Sequence, residues 1–77
     1  MAKKPTKLRY KFIHFVCIKE NPKTEVYSCR NNSSGDELGV VRWYPSWRSY
    51  CFFPIFGEVV FNSGCLNDIT HFMDQMK

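Results

Sequence analysis

Residues 41–54, V-R-W-Y-P-S-W-R-S-Y-C-F-F-P, decide the fold of this 77-residue chain. The stretch holds six of the thirteen aromatic side chains, which are two Trp, four Tyr and seven Phe in all. Two β-prone runs meet at Tyr44-Pro45-Ser46-Trp47, where the fixed φ of Pro45 suits the second position of a type I turn. The sequence therefore predicts a β-hairpin.

A turn centred on Pro45 and Ser46 would pair Trp43 with Arg48 and Val41 with Tyr50. Alternate residues share a face, so Val41, Trp43, Arg48, Tyr50 and Phe52 lie on one side, and Leu38, Val40, Arg42, Cys51 and Phe53 lie on the other. Both sides are apolar enough to be core. We expect a helix to cover the side with Leu38, Val40, Cys51 and Phe53, which would leave Trp43, Arg48 and Tyr50 exposed.

Outward from the hairpin, runs rich in β-branched and aromatic residues are bounded by turn residues. Strands are predicted over 10–19, 25–30, 38–43 and 48–53, with a short fifth strand or extended edge over 58–61. All connections between these runs are short. The strands should therefore form an antiparallel meander.

In the last segment of the chain the spacing of the apolar residues changes from that of a strand to that of a helix. Asn62 or Ser63 can cap a helix in which apolar residues recur at spacings of three and four, namely Leu66, Ile69, Phe72, Met73 and Met76. The predicted fold is α+β: an antiparallel meander of four to five strands with one C-terminal helix on one face. Residues 10–77 would form this single domain, preceded by a basic arm over 1–9.

Basic residues are concentrated at the start of the chain, whose net charge is +4. Lys3, Lys4, Lys7, Arg9 and Lys11 are five of its eleven basic residues. Such an arm attracts phosphate backbones or anionic surfaces, and the alternative is a solubilising tail.

Several classes of protein are disfavoured. No apolar stretch approaches the roughly 20 residues that span a bilayer, and no secretory signal follows the basic start, so we expect a soluble protein of the reducing cytoplasm. The four cysteines are separated by 12, 22 and 14 positions without a Cys-x-x-Cys pair, so neither a metal site nor a cofactor is expected. Whether Cys17 and Cys29 face each other across the first hairpin stays open.

Catalysis is not expected either. Cys65 opens the helix, where the helix dipole can lower a thiol pKa, but His71 lies about 120° away around the helix. Carboxylates are scattered, and a small domain has little volume for an enclosed active site or a small-molecule substrate.

The runs S-G-D-E-L-G-V-V-R-W-Y-P-S-W-R-S-Y-C-F-F-P over 34–54 and V-F-N-S-G-C-L over 60–66 resemble small proteins encoded by bacteriophages and prophages. The shared pattern includes the hairpin W-Y-x-x-W-R-x-Y-C-F-F-P and a helix start N-x-x-C-L. The resemblance implies a phage accessory protein, and such proteins are commonly non-enzymatic binders of nucleic acid or of host proteins.

Rings and guanidinium groups on a sheet can stack bases and grip phosphates. We therefore expect a binding module for nucleic acid. The alternative is a protein-binding factor, such as an inhibitor of a host or defence protein, that uses the same patch as a hot spot. The candidate binding residues are Lys3, Lys4, Lys7, Arg9, Arg42, Trp43, Tyr44, Trp47, Arg48 and Tyr50.

Overall fold

The fold is that of a computed structural model, which describes residues 4–55, 57 and 60–77. Its elements are β1 (Ile13–Glu20), β2 (Glu25–Asn31), β3 (Glu37–Tyr44), β4 (Ser49–Pro54) and α1 (Ser63–Asp74). The strands pair antiparallel in the order β1-β2-β3-β4. The predicted α+β meander with a C-terminal helix is confirmed, with four strands.

Two predictions fall partly outside the described residues. Of the strand predicted over 58–61, positions 58 and 59 are not described, and Val60 and Phe61 belong to no strand. Lys3, the first residue of the predicted binding set, also lies outside the described part of the chain.

The core lies between α1 and one face of the sheet. Phe72 of α1 stacks on Phe15 of β1, with ring centroids 3.8 Å apart, and meets Tyr27 of β2 edge to face at 5.1 Å. The buried apolar set is Tyr10, Ile13, Phe15, Tyr27, Cys29, Val41, Ile69, Phe72 and Met76. These side chains come from β1, β2, β3, α1, the segment before β1 and the residues after α1, and they form one core.

The predicted choice of covered face is wrong. Val41 is fully buried, and Tyr50 and Phe52 pack against the same core, so α1 covers the face that carries Val41, Trp43 and Tyr50. The absence of a side chain at Gly39 makes room for this packing, since a Cβ there would lie 2.5 Å from Cζ of Phe52. Without a side chain at Gly39, the Phe52 ring can pack across β3 on the helix side.

Leu38 also packs against the core, through an irregularity in the sheet. Cys29 pairs with Gly39 and Arg30 pairs with Glu37, which leaves Leu38 as an extra residue in β3. A bulge of this kind changes the direction of the bulged side chain. Strict alternation would place Leu38 on the same face as Val40, away from the helix. The bulge instead lets Leu38 pack against the core.

The hairpin register differs by two residues from the predicted one. Trp43 pairs with Tyr50 and Tyr44 pairs with Ser49, so the connection is the four residues 45–48. Arg48 closes it in the left-handed region, at φ 50°. Because the shift is even, Trp43 and Tyr50 still share a face, as expected.

The first hairpin answers the question about its cysteines. Cys17 lies opposite Tyr27, and Cys29 lies opposite Phe15, so the two thiols are not cross-strand partners. All four cysteines are free.

α1 begins and packs largely as its sequence indicates. Asn62 is the N-cap, and its Oδ1 accepts a 2.8 Å hydrogen bond from the N–H of Cys65. Ile69, Phe72 and Met76 are buried, whereas Leu66 is 51% exposed and lies outside the core. Among the described residues, no helix is both long and apolar enough to cross a membrane.

Candidate binding surfaces

The sheet face opposite α1, here called the open face, has no helix over it in the described part of the chain. Residues on this face follow from the cross-strand pairs, because directly paired residues share a face. They include His14, Val16, Lys19, Val26, Ser28, Arg30, Val40, Arg42, Tyr44, Cys51 and Phe53. Arg42 is exposed, and Val40, Cys51 and Phe53 are only half-buried.

Arg42, Tyr44, Trp47 and Phe53 form a continuous group that we call the open-face cluster. The Arg42 guanidinium carbon lies 3.7 Å from the centre of the Phe53 ring. Tyr44 meets Phe53 at 5.9 Å and Trp47 at 5.1 Å, both edge to face. Trp47 is 72% exposed. The cluster thus offers one indole and one stacked guanidinium to solvent, supported by two further rings.

Other cations lie on the same face, on or beside β1 and β2. Arg9 forms an isolated backbone bridge with His14, which places Arg9 beside β1 on the open-face side. Arg30 donates from Nε to the Ser28 hydroxyl at 3.1 Å, and that hydroxyl donates to the Glu37 carboxylate at 2.6 Å. Arg30 is thereby held in position while its terminal nitrogens stay available.

A groove lies on the other side of the hairpin, beyond the end of α1. It measures about 980 Å³ and is lined by Pro22, Lys23, Thr24, Trp43, Arg48, Ser49, Tyr50, Met73, Met76 and Lys77. Trp43 and Tyr50 meet edge to face at 5.6 Å. The Tyr50 hydroxyl accepts a 3.2 Å hydrogen bond from the N–H of Glu25, which fixes this ring against the first hairpin.

The described part of the basic arm packs on the helix side. Oε1 of Gln75 accepts hydrogen bonds from the N–H groups of Thr6 and Lys7 at 3.0 and 2.9 Å. Lys7 lies over the Tyr10 ring at 4.7 Å, and Lys4 forms a 3.4 Å ion pair with Glu25. Lys4 and Lys7 therefore lie apart from the open-face cluster.

The structure divides the predicted binding residues into three groups. Arg9, Arg42, Tyr44 and Trp47 belong to the open face; Trp43, Arg48 and Tyr50 line the groove; Lys4 and Lys7 lie with the arm near the end of α1. Phe53 was assigned to the covered side and Lys19 was overlooked. Once the covered face is known, strand alternation is enough to place Phe53 on the open face together with Arg42.

Raised pKa values occur on the covered side of the sheet. Burial raises the pKa of the Cys29 thiol to about 12, with smaller contributions from Cys65 and Glu37. Burial and the hydrogen bond to Glu25 raise the pKa of Tyr27, whose hydroxyl lies 2.6 Å from that carboxylate. Burial thus favours the protonated form of both groups, the opposite of what activates a thiol.

Ligand atoms of Cys17, Glu20 and Glu25 lie within 4.8 Å of one another, which makes them a geometrically possible metal-binding group in the described part of the chain. The Glu25 carboxylate is already engaged by the Tyr27 hydroxyl and by Lys4. A cation that binds Glu25 would have to displace these partners, so Glu20 is the one carboxylate of the cluster that the described residues do not engage.

The chain is 30% identical over 66 residues to the "Uncharacterized 9.3 kDa protein" of Acholeplasma phage L2. The match covers 84% of this chain and 83% of the phage protein. No family model and no solved structure matches the chain. The similarity thus extends over most of both proteins.

Proposed function

Because this chain belongs to the same family as the 9.3 kDa protein of Acholeplasma phage L2, and is thus a small phage-type protein, we propose that it is a non-catalytic accessory module that binds nucleic acid. The binding surface is the open face. Its preferred ligand is a single strand, because stacking on side chains needs unpaired bases.

The observation that carries this proposal is the Arg42 guanidinium stacked 3.7 Å from the Phe53 ring, beside the exposed indole of Trp47. A guanidinium plane and an indole plane each accept a base by stacking, and each stacked base contributes about 1–3 kcal/mol. Stacking is tolerant of sequence, since every base has a π face. The module would therefore bind many sequences with similar affinity.

Phosphate contacts come from cations elsewhere on the open face. Arg9, Lys19 and Arg30 lie on or beside the same face, so a strand whose bases reach Trp47 and Arg42 can run its backbone past them. Arg30 is positioned by the Ser28 hydroxyl, which in turn donates to the Glu37 carboxylate on the same face. Each phosphate contact releases counterions, which makes binding salt-dependent.

A fluorescein-labelled thymidine oligonucleotide of about 20 nucleotides tests the proposal by fluorescence anisotropy over a series of salt concentrations. Trp47→Ala should weaken binding about tenfold, the loss of roughly one stacked base. Arg42→Ala should weaken it several-fold and reduce the salt slope by about one phosphate contact.

Arg48→Ala is the matched control, because it removes the same charge from the groove side of the same hairpin. It should change the affinity by less than twofold. Absence of binding at low salt would overturn the proposal, and so would equal losses for Arg42→Ala and Arg48→Ala, which would show that only net charge matters.

A further inference from the structure

The groove beyond the end of α1 is chemically different from the open face. Trp43, Tyr50, Met73 and Met76 supply apolar side chains from the hairpin and the helix. Every charged residue that lines it is a cation: Lys23, Arg48 and Lys77. Lys77 forms an ion pair with Asp74 at 2.9 Å. Of the three cations in the groove, Lys23 and Arg48 therefore have no ion-pair partner among the described residues.

We propose that this groove binds an acidic amphipathic segment of a partner protein, in which one large apolar side chain is flanked by carboxylates. Lys23 belongs to the turn between β1 and β2, and Arg48 belongs to the turn between β3 and β4. Because the two cations come from different turns of the groove wall, they match two separate carboxylates. A peptide supplies these on either side of its apolar residue, whereas a fatty acid carries only one.

The apolar lining favours a side chain over a nucleobase. The methionine side chains that line the groove offer no hydrogen-bond donor. A base edge that lies against Met73 and Met76 would lose its hydrogen bonds to water, and each unsatisfied polar group costs about 1–3 kcal/mol. A leucine or phenylalanine side chain has no such bonds to lose.

Methionine also suits the walls of such a site, because its flexible thioether adapts to apolar partners of different shape. The volume of about 980 Å³ admits more than one apolar side chain. The proposal is independent of nucleic-acid binding, since the residues that carry it lie on the opposite side of the sheet from Arg42 and Phe53.

The probe is the synthetic peptide acetyl-Glu-Glu-Leu-Phe-Glu-Glu-Leu-amide, added to protein labelled with ¹³C at the methionine methyl groups. Only three methionines are present in the chain, and two of them line the groove. The methyl signals of Met73 and Met76 should shift saturably. A peptide with serine in place of Leu and Phe should cause no shift.

Two double variants separate a local effect from net charge. Lys23→Glu with Arg48→Glu should weaken peptide binding at least tenfold. The matched control, Lys19→Glu with Arg42→Glu, makes the same charge change on the open face and should weaken it less than twofold. The far-UV circular dichroism of both variants should equal that of the parent protein, so that loss of binding is not loss of fold.

Three results would overturn the proposal. The first is that millimolar peptide leaves the Met73 and Met76 signals unmoved, and the second is that both double variants weaken binding equally. The third is that the thymidine oligonucleotide or decanoate shifts the two methyl signals and the peptide does not. An oligonucleotide that binds without moving these signals supports two separate surfaces.

Discussion

The two sides of the hairpin are built from similar residues and differ in what lies against them. On the helix side, Val41 and Phe52 pack into the core, and only Trp43 and Tyr50, near the end of α1, reach a groove. On the open face, Phe53 and Tyr44 stay half-buried beside an exposed arginine. An aromatic side chain in a small domain thus becomes core or contact surface according to whether a helix covers it.

The comparison is sharpest for two phenylalanines in different environments. Phe72 is fully buried between Phe15 and Tyr27, so Phe72→Ala should lower the free energy of unfolding by about 3–5 kcal/mol. Phe53→Ala removes a half-buried ring and should cost only about 1 kcal/mol. Urea unfolding followed by circular dichroism measures both. Equal losses would mean that the open face is covered in solution.

The elements themselves were predictable from local sequence. Alternating β-branched and aromatic residues predicted four strands, and Asn62 ahead of apolar residues at spacings of three and four predicted a capped helix. These patterns depend on neighbours in the chain. They can therefore be recognised without any knowledge of tertiary contacts.

The covered face was not predictable in this way, because both sides of the hairpin are apolar. The observed packing includes the close approach of the Phe52 ring to Gly39, a contact between strands that local sequence does not show. The helix spacing also predicted burial of Leu66, which is 51% exposed although its neighbour Cys65 packs against the core. The candidate site was consequently predicted as one patch, whereas the structure has two.

Alkaline pH should act on the covered side, since the described groups with a raised pKa, Tyr10, Tyr27 and Cys29, are all buried there. A folded state with a raised thiol pKa holds its proton more tightly than the unfolded chain does. The contribution of Cys29 to stability is therefore complete below its ordinary pKa of 9.0 and is lost as the pH rises toward about 12.

The expected loss between about pH 8 and pH 10.5 is on the order of 1–2 kcal/mol. Urea midpoints at the two pH values measure it, with salt held constant. In Cys29→Ala the dependence should be shallower, although the variant starts from a lower stability. A protein equally stable at both pH values would contradict the prediction.

A variant that releases the arm from the end of α1 tests whether the helix side can be altered without changing the open face. Gln75 makes five hydrogen bonds to Thr6, Lys7 and Tyr10. Gln75→Ala should cost about 1 kcal/mol and release the arm, because these bonds hold it to the helix end. Faster tryptic cleavage after Lys7 measures the release, since the bond after Lys4 precedes Pro5 and resists trypsin. Gln75→Glu keeps the acceptor oxygen and should cleave more slowly than Gln75→Ala.

Oligonucleotide affinity should stay within twofold of the parent value in Gln75→Ala, because Lys4 and Lys7 lie away from the open-face cluster. An increase in affinity would show that a released arm reaches the nucleic acid. The basic residues of the arm would then add to binding at the open face, although in the folded protein they lie on the helix side.

The smallest expected effect concerns the turn that separates the two surfaces. Arg48 has a φ of 50°, a region that glycine adopts without the steric cost borne by other residues. Arg48→Gly should therefore raise the free energy of unfolding by up to about 1 kcal/mol while removing a cation from the groove. Arg42→Gly, in the middle of β3, should instead lower stability by about 1 kcal/mol, because glycine weakens a strand. Urea unfolding of both variants gives the two signs, and a loss of stability in Arg48→Gly would mean that contacts of the Arg48 side chain outweigh its backbone strain.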